Sequence, residues 1–123
     1  MPSAKLSVVP RLLLAGAVAV LLQACSSTTV DPTGTWSPNK IYAEAKAELD
    51  GGAYDKAIPL FEKLEGRAAG TPLAQQAQLE RAYAYFKSNE QAQAIATLDR
   101  FIKLHPASPA LDYALYLKGI VNF

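Results

Sequence analysis

Apolar and polar residues alternate with helical spacing from residue 38 to the end of the chain. In 38–50, an apolar or small side chain returns every three or four residues, which places these side chains on one face of a helix. The same spacing continues through 53–65, 73–87 and 91–104, and again after Ser108-Pro109. Gly-Gly, Ser-Asn and His-Pro pairs separate several of these stretches, and Gly66 and Gly70 flank the break before 73–87. Thr71-Pro72 predicts an N-cap followed by a proline at the first helical position, and Ser108-Pro109 is expected to open the fifth helix in the same way. The pattern predicts five helices and an all-α fold.

The helical stretches repeat with a period of 37 residues. Three small residues, Ala45, Ala82 and Gly119, coincide when the chain is shifted by this period, and so do Ala57 and Ala94. Each unit contains two helices, so the repeat predicts a stack of helix pairs in which small residues let the two helices cross closely. Bulky apolar residues keep the same register at Tyr42, Leu79 and Tyr116, at Leu49, Phe86 and Phe123, and at Ile58 and Ile95.

The N-terminus has the pattern of an export signal. Lys5 and Arg11 accompany the apolar run 12–22, which at about 1.5 Å per residue covers only about half of a hydrocarbon core roughly 30 Å thick. A run this short is typical of a signal peptide. The residues Leu-Gln-Ala-Cys at 22–25 resemble the lipobox of bacterial lipoproteins, which implies cleavage after residue 24 and lipidation of the Cys25 thiol. The alternative is an ordinary secretory signal followed by a chance cysteine.

Polar residues connect the cysteine to the first helix. Segment 25–37 is rich in Ser, Thr, Pro and Gly, and this composition predicts a flexible tether. We expect its one large apolar residue, Trp36, to pack on the start of the first helix; a partner or membrane contact is the alternative. Ser26, not Asp, follows the cysteine, and resemblance to an enteric sorting rule implies the periplasmic face of the outer membrane. The predicted divisions are a signal peptide 1–24, the tether and a helix-repeat domain 38–123.

Composition and charge exclude several classes of chemistry. Twelve basic and 11 acidic residues give a net charge of +1, so no basic patch for nucleic acid is expected. A single cysteine excludes an intramolecular disulfide and a Cys-cluster zinc site, and a single histidine argues against a His-rich metal site. No carboxylate pair, phosphate loop or nucleophile motif is visible. We therefore predict no catalytic residue, no metal and no cofactor apart from the lipid on Cys25, with His105 as a solvated helix cap.

The repeat unit resembles the tetratricopeptide repeat, a helix pair with small residues at its eighth and twentieth positions and a proline at its end. The connectors here are three residues longer, and the usual aromatic residue at position four is absent. The stretches AQLERAYAYFKSNEQAQAIATLDRFIKLHP at 77–106 and SPALDYALYLKGIVNF at 108–123, with the lipobox and short tether, resemble the BamD family, called ComL in older usage. The positional matches are Ala45, Ala82 and Gly119, then Ala57 and Ala94, then Pro106.

This second resemblance implies a function. Members of the family are lipoproteins of the outer-membrane β-barrel assembly machinery, not enzymes. The implied partners are a BamA-type barrel subunit, sister Bam lipoproteins, unfolded outer-membrane proteins and, through the lipid, a membrane. The resemblance also implies that 38–123 holds about two and a half repeats, with the C-terminal repeats missing. The alternatives are a pilotin-type tetratricopeptide lipoprotein for secretin or type IV pilus assembly, and an accessory of a peptidoglycan enzyme.

Stacked helix pairs leave their first helices lining a concave groove. Aromatic and aliphatic side chains with few charges suit an extended or helical peptide that has apolar anchors. Leu49 and Ile120 occupy the same face. The alternative, burial in the core between repeats, weighs more for Leu79 and Phe86 than for the tyrosines, whose hydroxyls favour a wet edge. The predicted peptide-binding groove consists of Tyr42, Lys46, Leu79, Tyr83, Phe86, Tyr113 and Tyr116.

Overall fold

Five α-helices follow one another in the part of the chain that the computed structural model describes, residues 29–123. A 3-10 helix, Pro32–Thr35, precedes them, and this part of the chain contains no strand, which confirms the all-α prediction. Residues 33–123 form one compact unit. No helix within 29–123 is long and apolar enough to cross a bilayer. The helices are α1 (Pro38–Asp50), α2 (Tyr54–Arg67), α3 (Pro72–Lys87), α4 (Gln91–Leu104) and α5 (Leu111–Val121).

Side-chain caps start the first helix of each of the first two pairs. Ser37 precedes α1, and its hydroxyl accepts a hydrogen bond from the backbone N–H three residues on, at 3.2 Å. Thr71 precedes α3 and makes the equivalent contact at 3.3 Å. Pro38 and Pro72 follow at the first helical position, where a backbone N–H would have no acceptor within the helix, so its absence in proline costs no hydrogen bond. The cap that the Thr-Pro pair predicted is therefore confirmed.

The turns after α1 and α3 use the left-handed backbone region. Gly52 has φ +78° in the first turn, where glycine adopts this conformation at little cost, and Asn89 has φ +63° in the second. Both turns lie where the Gly-Gly and Ser-Asn pairs predicted them. Gly66, which we expected to flank a break, lies instead inside α2, and the left-handed residue of that connection is Gly70 with φ +80°.

The start of α5 differs from the prediction. Ser108-Pro109 was expected to open this helix in the manner of the Thr-Pro pair, but the helix begins at Leu111. The hydroxyl of Ser108 donates to Oε1 of Gln75 at 2.9 Å and accepts from the backbone N–H of Ala110 at 3.2 Å. Because that hydroxyl is used in a two-residue turn and a contact with α3, it does not cap the helix.

Four of the five small residues of the repeat are buried between packed helices. Ala45, Ala57, Ala82 and Ala94 are all 0% exposed, each helix packs against the next, and α3 also contacts α5. Gly119, at the same repeat position as Ala45, is exposed, and an added Cβ there would meet nothing within 4 Å. Two core clusters result. The first includes Ile41, Leu49, Phe61 and Leu64, and the second includes Leu79, Leu98, Phe101, Leu117 and Val121.

A buried ion network joins the first helix pair to the second. Nε of Arg81 on α3 lies 2.8 Å from Oε1 of Glu65 on α2, and Nη2 of Arg81 donates to Oε2 at 3.2 Å. The same carboxylate lies 3.3 Å from Nη2 of Arg100 on α4. Arg81 is only 6% exposed. The network therefore fixes α2, α3 and α4 relative to one another, which sets the spacing of the two pairs.

The end of the predicted tether is part of the folded unit. Thr33 is 4% exposed, and Trp36 is half-buried against the first core cluster. Nζ of Lys40 lies 4.6 Å from the centroid of the Trp36 ring. The contact with Lys40 confirms the predicted packing of Trp36 on the start of the first helix. Residues 33–36 are docked where composition predicted flexible chain. The predicted signal peptide 1–24 and Cys25 lie outside the described residues.

Candidate peptide-binding groove

A cleft of about 570 Å³ opens across the first helices of the three pairs. These helices, α1, α3 and α5, supply most of its lining, and the start of α2 closes one end. The odd-numbered helices therefore share one face of the stack, as the repeat predicts. The cleft is lined by Lys46, Leu49, Asp50, Tyr54, Glu80, Tyr83, Lys87 and Tyr113.

An ion pair between repeats lies in this cleft. Nζ of Lys46 lies 3.3 Å from Oδ1 of Asp50 on the same helix and 3.6 Å from Oε2 of Glu80 on α3. Nε2 of Gln76 donates to Oε1 of Glu80 at 3.0 Å. The side chain of Glu80 is 17% exposed and that of Lys46 is 33% exposed, so water screens this pair only in part. With Lys87, two ammonium groups and two carboxylates line the cleft, so the charges balance in number but the prediction of few charges does not hold.

Two tyrosines beside this pair, Tyr42 and Tyr113, stay protonated at neutral pH. Burial raises the pKa of the Tyr42 phenol above its usual 10.0, and the Glu80 carboxylate adds to the effect. The pKa of Tyr113 rises for the same two reasons. Burial lowers the pKa of the Lys46 ammonium, but the carboxylates of Glu80 and Asp50 outweigh it, and the net direction is upward. The groove therefore presents neutral hydroxyl donors beside a charged ammonium.

Exposure of the aromatic side chains increases from α1 to α5. Tyr42 is half-buried, with its ring edge-on to Phe61 at a centroid distance of 6.3 Å. Tyr83 on α3 is half-buried and contacts both core clusters. Tyr113 and Tyr116 on α5 are 46% and 66% exposed. Within residues 29–123, the exposed aromatic rings of the groove therefore lie on α5, the last helix of the described chain.

The structure brings three of the seven predicted residues into the cleft: Lys46, Tyr83 and Tyr113. Tyr42 and Tyr116 flank it, since Tyr42 interacts electrostatically with Lys46 and Tyr116 with Tyr113. These five share one face of the stack.

The prediction is wrong for Leu79 and does not hold for Phe86. Leu79 is 2% exposed in the second core cluster, and Phe86 is half-buried against the same cluster. Helix α3 packs against α2, α4 and α5, so these two positions face neighbouring helices and not the groove. Leu49 reaches the cleft but is only 5% exposed, and Ile120 is 37% exposed on α5.

Four residues of the cleft were missed: Asp50, Tyr54, Glu80 and Lys87. A signal for two of them is present in the sequence, because Glu80, Tyr83 and Lys87 are spaced three and four residues apart and so share a helix face. Tyr54 begins the second helix of its pair, and no first-helix pattern includes it.

The remaining candidate chemistry adds no second site. His105 is the C-cap of α4, as predicted. It is half-buried where a solvated residue was expected, because its ring packs beside that of Phe101 at a centroid distance of 5.0 Å. Among residues 29–123, no three His, Cys, Asp or Glu side chains gather as metal ligands would. The predicted lipidation site, Cys25, precedes this part of the chain.

Helix pairs that stack with small residues at their crossings, and whose first helices line a groove, define a solenoid of the tetratricopeptide type. Residues 35–123 match a family model, YfiO, that carries the description outer membrane lipoprotein. The chain belongs to this family.

Curated relatives carry the name outer membrane protein assembly factor BamD. The protein from Neisseria meningitidis serogroup B is 46% identical over 118 residues, which cover 92% of this chain and 44% of the relative. The protein from Vibrio cholerae is 34% identical over 110 residues, 89% of this chain and 45% of the relative. The protein from Caulobacter vibrioides is 30% identical over 109 residues, which cover 86% of this chain and 36% of the relative. The chain thus spans less than half the length of these relatives.

Proposed function

We propose that this chain belongs to a lipoprotein component of the outer-membrane β-barrel assembly machinery, where it scaffolds the complex and receives unfolded outer-membrane proteins. Membership of an outer membrane lipoprotein family and the assembly-factor name of its relatives support this role over that of a pilotin. The structural observation that carries it is the cleft across α1, α3 and α5, with accessible tyrosines at one end. The role is one of binding and requires no catalytic residue or cofactor.

The proposal includes a location and partners. Lipid on Cys25 anchors the protein to the periplasmic face of the outer membrane, and two or three acyl chains are enough for stable anchoring. Its partners are a BamA-type barrel subunit, sister Bam lipoproteins and unfolded outer-membrane proteins, and not nucleic acid. The near-neutral charge of the chain supports protein partners over nucleic acid.

The groove suits a peptide that ends in an aromatic residue. The exposed rings of Tyr113 and Tyr116 offer apolar faces to such a side chain. The hydroxyl of Tyr83, at the cleft, can donate to a backbone carbonyl of an extended peptide. Truncating an aromatic anchor at an interface costs about 2 kcal/mol or more when the anchor is a hot spot. We therefore expect the tyrosines to dominate the affinity.

Peptide titration tests the groove. The double variant Tyr83→Ala/Tyr116→Ala should weaken binding of a peptide with a C-terminal Phe by about thirtyfold or more in fluorescence anisotropy, the equivalent of about 2 kcal/mol. Because Tyr83 contacts both core clusters, a second double variant, Tyr113→Ala/Tyr116→Ala, removes only exposed rings. Tyr85→Ala is the control, since Tyr85 lies on α3 but lines a different surface, with Arg81. Unchanged affinity in both double variants would contradict the groove.

Depletion in the cell distinguishes the assembly role from its alternatives. Loss of an assembly scaffold should lower many outer-membrane proteins together. Loss of a pilotin should mislocalise one secretin, and loss of a peptidoglycan accessory should alter muropeptides at normal porin levels. Quantitative proteomics of outer membranes, with muropeptide profiles from the same cells, separates the three.

A further inference from the structure

A side chain at the end of α2 holds the segment that precedes α1. Nη1 of Arg67 donates hydrogen bonds to the carbonyl oxygens of Thr33, at 2.6 Å, and Trp36, at 3.1 Å. The Thr33 carbonyl also accepts from the backbone N–H of Trp36 at 3.0 Å. A charged donor makes stronger hydrogen bonds than a neutral one. Residues 33–36 form the clamped segment, and Arg67 is its clamp.

Parts of the clamped segment are buried, although Arg67 itself is exposed. Thr33 is 4% exposed, and Trp36 packs against the first core cluster with the ammonium of Lys40 over its ring, a favourable cation–π arrangement. The compact unit begins at Thr33 and not at the first α-helix. The clamped segment therefore belongs to the folded unit, although no repeat position includes it.

We propose that Arg67 is a positioning residue that sets how far the groove can stand from the membrane. The inference rests on the proposed lipidation of Cys25. Eight Cα–Cα steps separate Cys25 from Thr33, so the fully extended tether reaches about 28 Å. With the clamp open, Ser37, the N-cap of α1, becomes the first held residue, and twelve steps reach about 42 Å. The clamp thus removes a third of the reach.

Reach matters because a lipid-anchored domain meets membrane partners at an effective concentration set by its tether. Where the tether spans the gap, this concentration falls as roughly the −3/2 power of its length. Lengthening the tether by half therefore lowers it about twofold. The clamp keeps the groove close to the bilayer into which its clients are to be inserted.

The clamp itself can be followed by fluorescence, because Trp36 is the single tryptophan of the chain. Arg67→Ala removes two charge-assisted hydrogen bonds, which should lower the docking equilibrium constant about tenfold. We expect red-shifted emission and stronger acrylamide quenching. Arg67→Lys should retain most of the protection, since both bonds come from one nitrogen and an ammonium carries three donors. Lys103→Ala, an exposed cation in the last turn of α4, is the matched control and should change nothing.

The positioning role is tested in cells that depend on the natural full-length, lipidated protein. Deletion of residues 27–30 shortens the clamped reach to about 14 Å, and opening the clamp returns it to about 28 Å. The deletion alone should lower the levels of many outer-membrane proteins. Deletion combined with Arg67→Ala should restore them toward wild type, while deletion combined with Lys103→Ala should not. A merely structural Arg67 would instead make the combined variant worse.

Each outcome bears on the proposal. Restoration by Arg67→Ala supports it. Two results would overturn it. One is a normal level of outer-membrane proteins in cells with the deletion alone. The other is an unrestored level in the combined variant although acrylamide quenching shows that Trp36 is released. Labelling with radioactive palmitate tests the anchor separately. An unlabelled protein would refute the proposed lipidation, while quenching of Trp36 would still report on the clamp.

Discussion

Replacing Arg81 with methionine should be among the most damaging single changes in the ion network. Arg81 is 6% exposed and contacts both oxygens of Glu65, so the substitution leaves a mostly buried carboxylate without its main partner. Breaking a buried pair costs about 3–5 kcal/mol. Arg100, 3.3 Å from the same carboxylate, and the 17% exposure of Glu65 favour the lower end, about 3 kcal/mol.

Urea unfolding followed by circular dichroism measures this change. With a slope of about 1.5 kcal/mol per M, the midpoint of Arg81→Met should fall by about 2 M. Arg100→Met is the control, because Arg100 is 55% exposed, and its loss should cost about 1 kcal/mol or less. Glu65→Leu/Arg81→Met removes both charges and should recover most of the loss. A double variant as unstable as Arg81→Met, or an Arg81→Met loss no larger than that of Arg100→Met, would refute the reasoning.

The same variant has a pH signature. Burial raises the pKa of the Glu65 carboxyl, and the Arg81 and Arg100 guanidinium groups oppose this. Removing Arg81 should raise that pKa further. A group whose pKa is raised in the folded state stabilises the fold below its unfolded pKa and loses that contribution as the pH rises through the folded pKa. The loss caused by Arg81→Met is therefore expected to be larger at pH 7 than near the ordinary pKa of 4.5.

Three further predictions concern the crossings, the caps and the groove. Ala82→Leu should lower the free energy of unfolding by about 1–3 kcal/mol, because Ala82 is buried and a larger side chain overpacks the core. Gly119→Ala, at the same repeat position, should leave the free energy of unfolding unchanged or raise it by up to about 1 kcal/mol, because the added methyl group meets nothing and alanine favours the helix. Thermal unfolding of the two variants compares these effects directly. Thr71→Ala should cost about 1 kcal/mol through loss of the α3 cap, and Thr71→Ser should retain most of that, by urea unfolding. Because the pKa values of Tyr42 and Lys46 are both raised, their contributions are present below pH 10 and are lost as the pH rises through the raised values. Stability measured above pH 10 should fall less steeply in Tyr42→Phe than in the natural chain.

Much of the fold could be predicted from the sequence because its determinants are local or periodic. The Thr71-Pro72 cap involves neighbours in the chain, and the small residues at Ala45 and Ala82 recur at a fixed interval. The Ser108-Pro109 pair shows the limit of this reasoning. Its local chemistry matches the Thr-Pro cap, but the serine hydroxyl donates a hydrogen bond to Gln75 on another helix. Helix α5 therefore begins later, at Leu111.

The groove could be predicted only in outline. The repeat correctly indicated that the first helices share a face, and it placed Tyr83 and Tyr113 there. It could not tell Leu79 from Tyr116, which occupy the same repeat position but are 2% and 66% exposed. Their burial depends on how many helices pack around α3 and α5, and the repeat position of a residue does not determine that number.

The sequence by itself determined that the chain forms five helices in pairs, because periodicity, caps and turns act over a few residues. Only the tertiary structure decided which members of a repeated position are accessible. It also brought together groups as distant as Arg67 and Thr33, 34 residues apart, and Arg81 and Glu65, 16 residues apart. Such contacts depend on helix packing angles and side-chain volumes across the whole stack, and no local pattern specifies them.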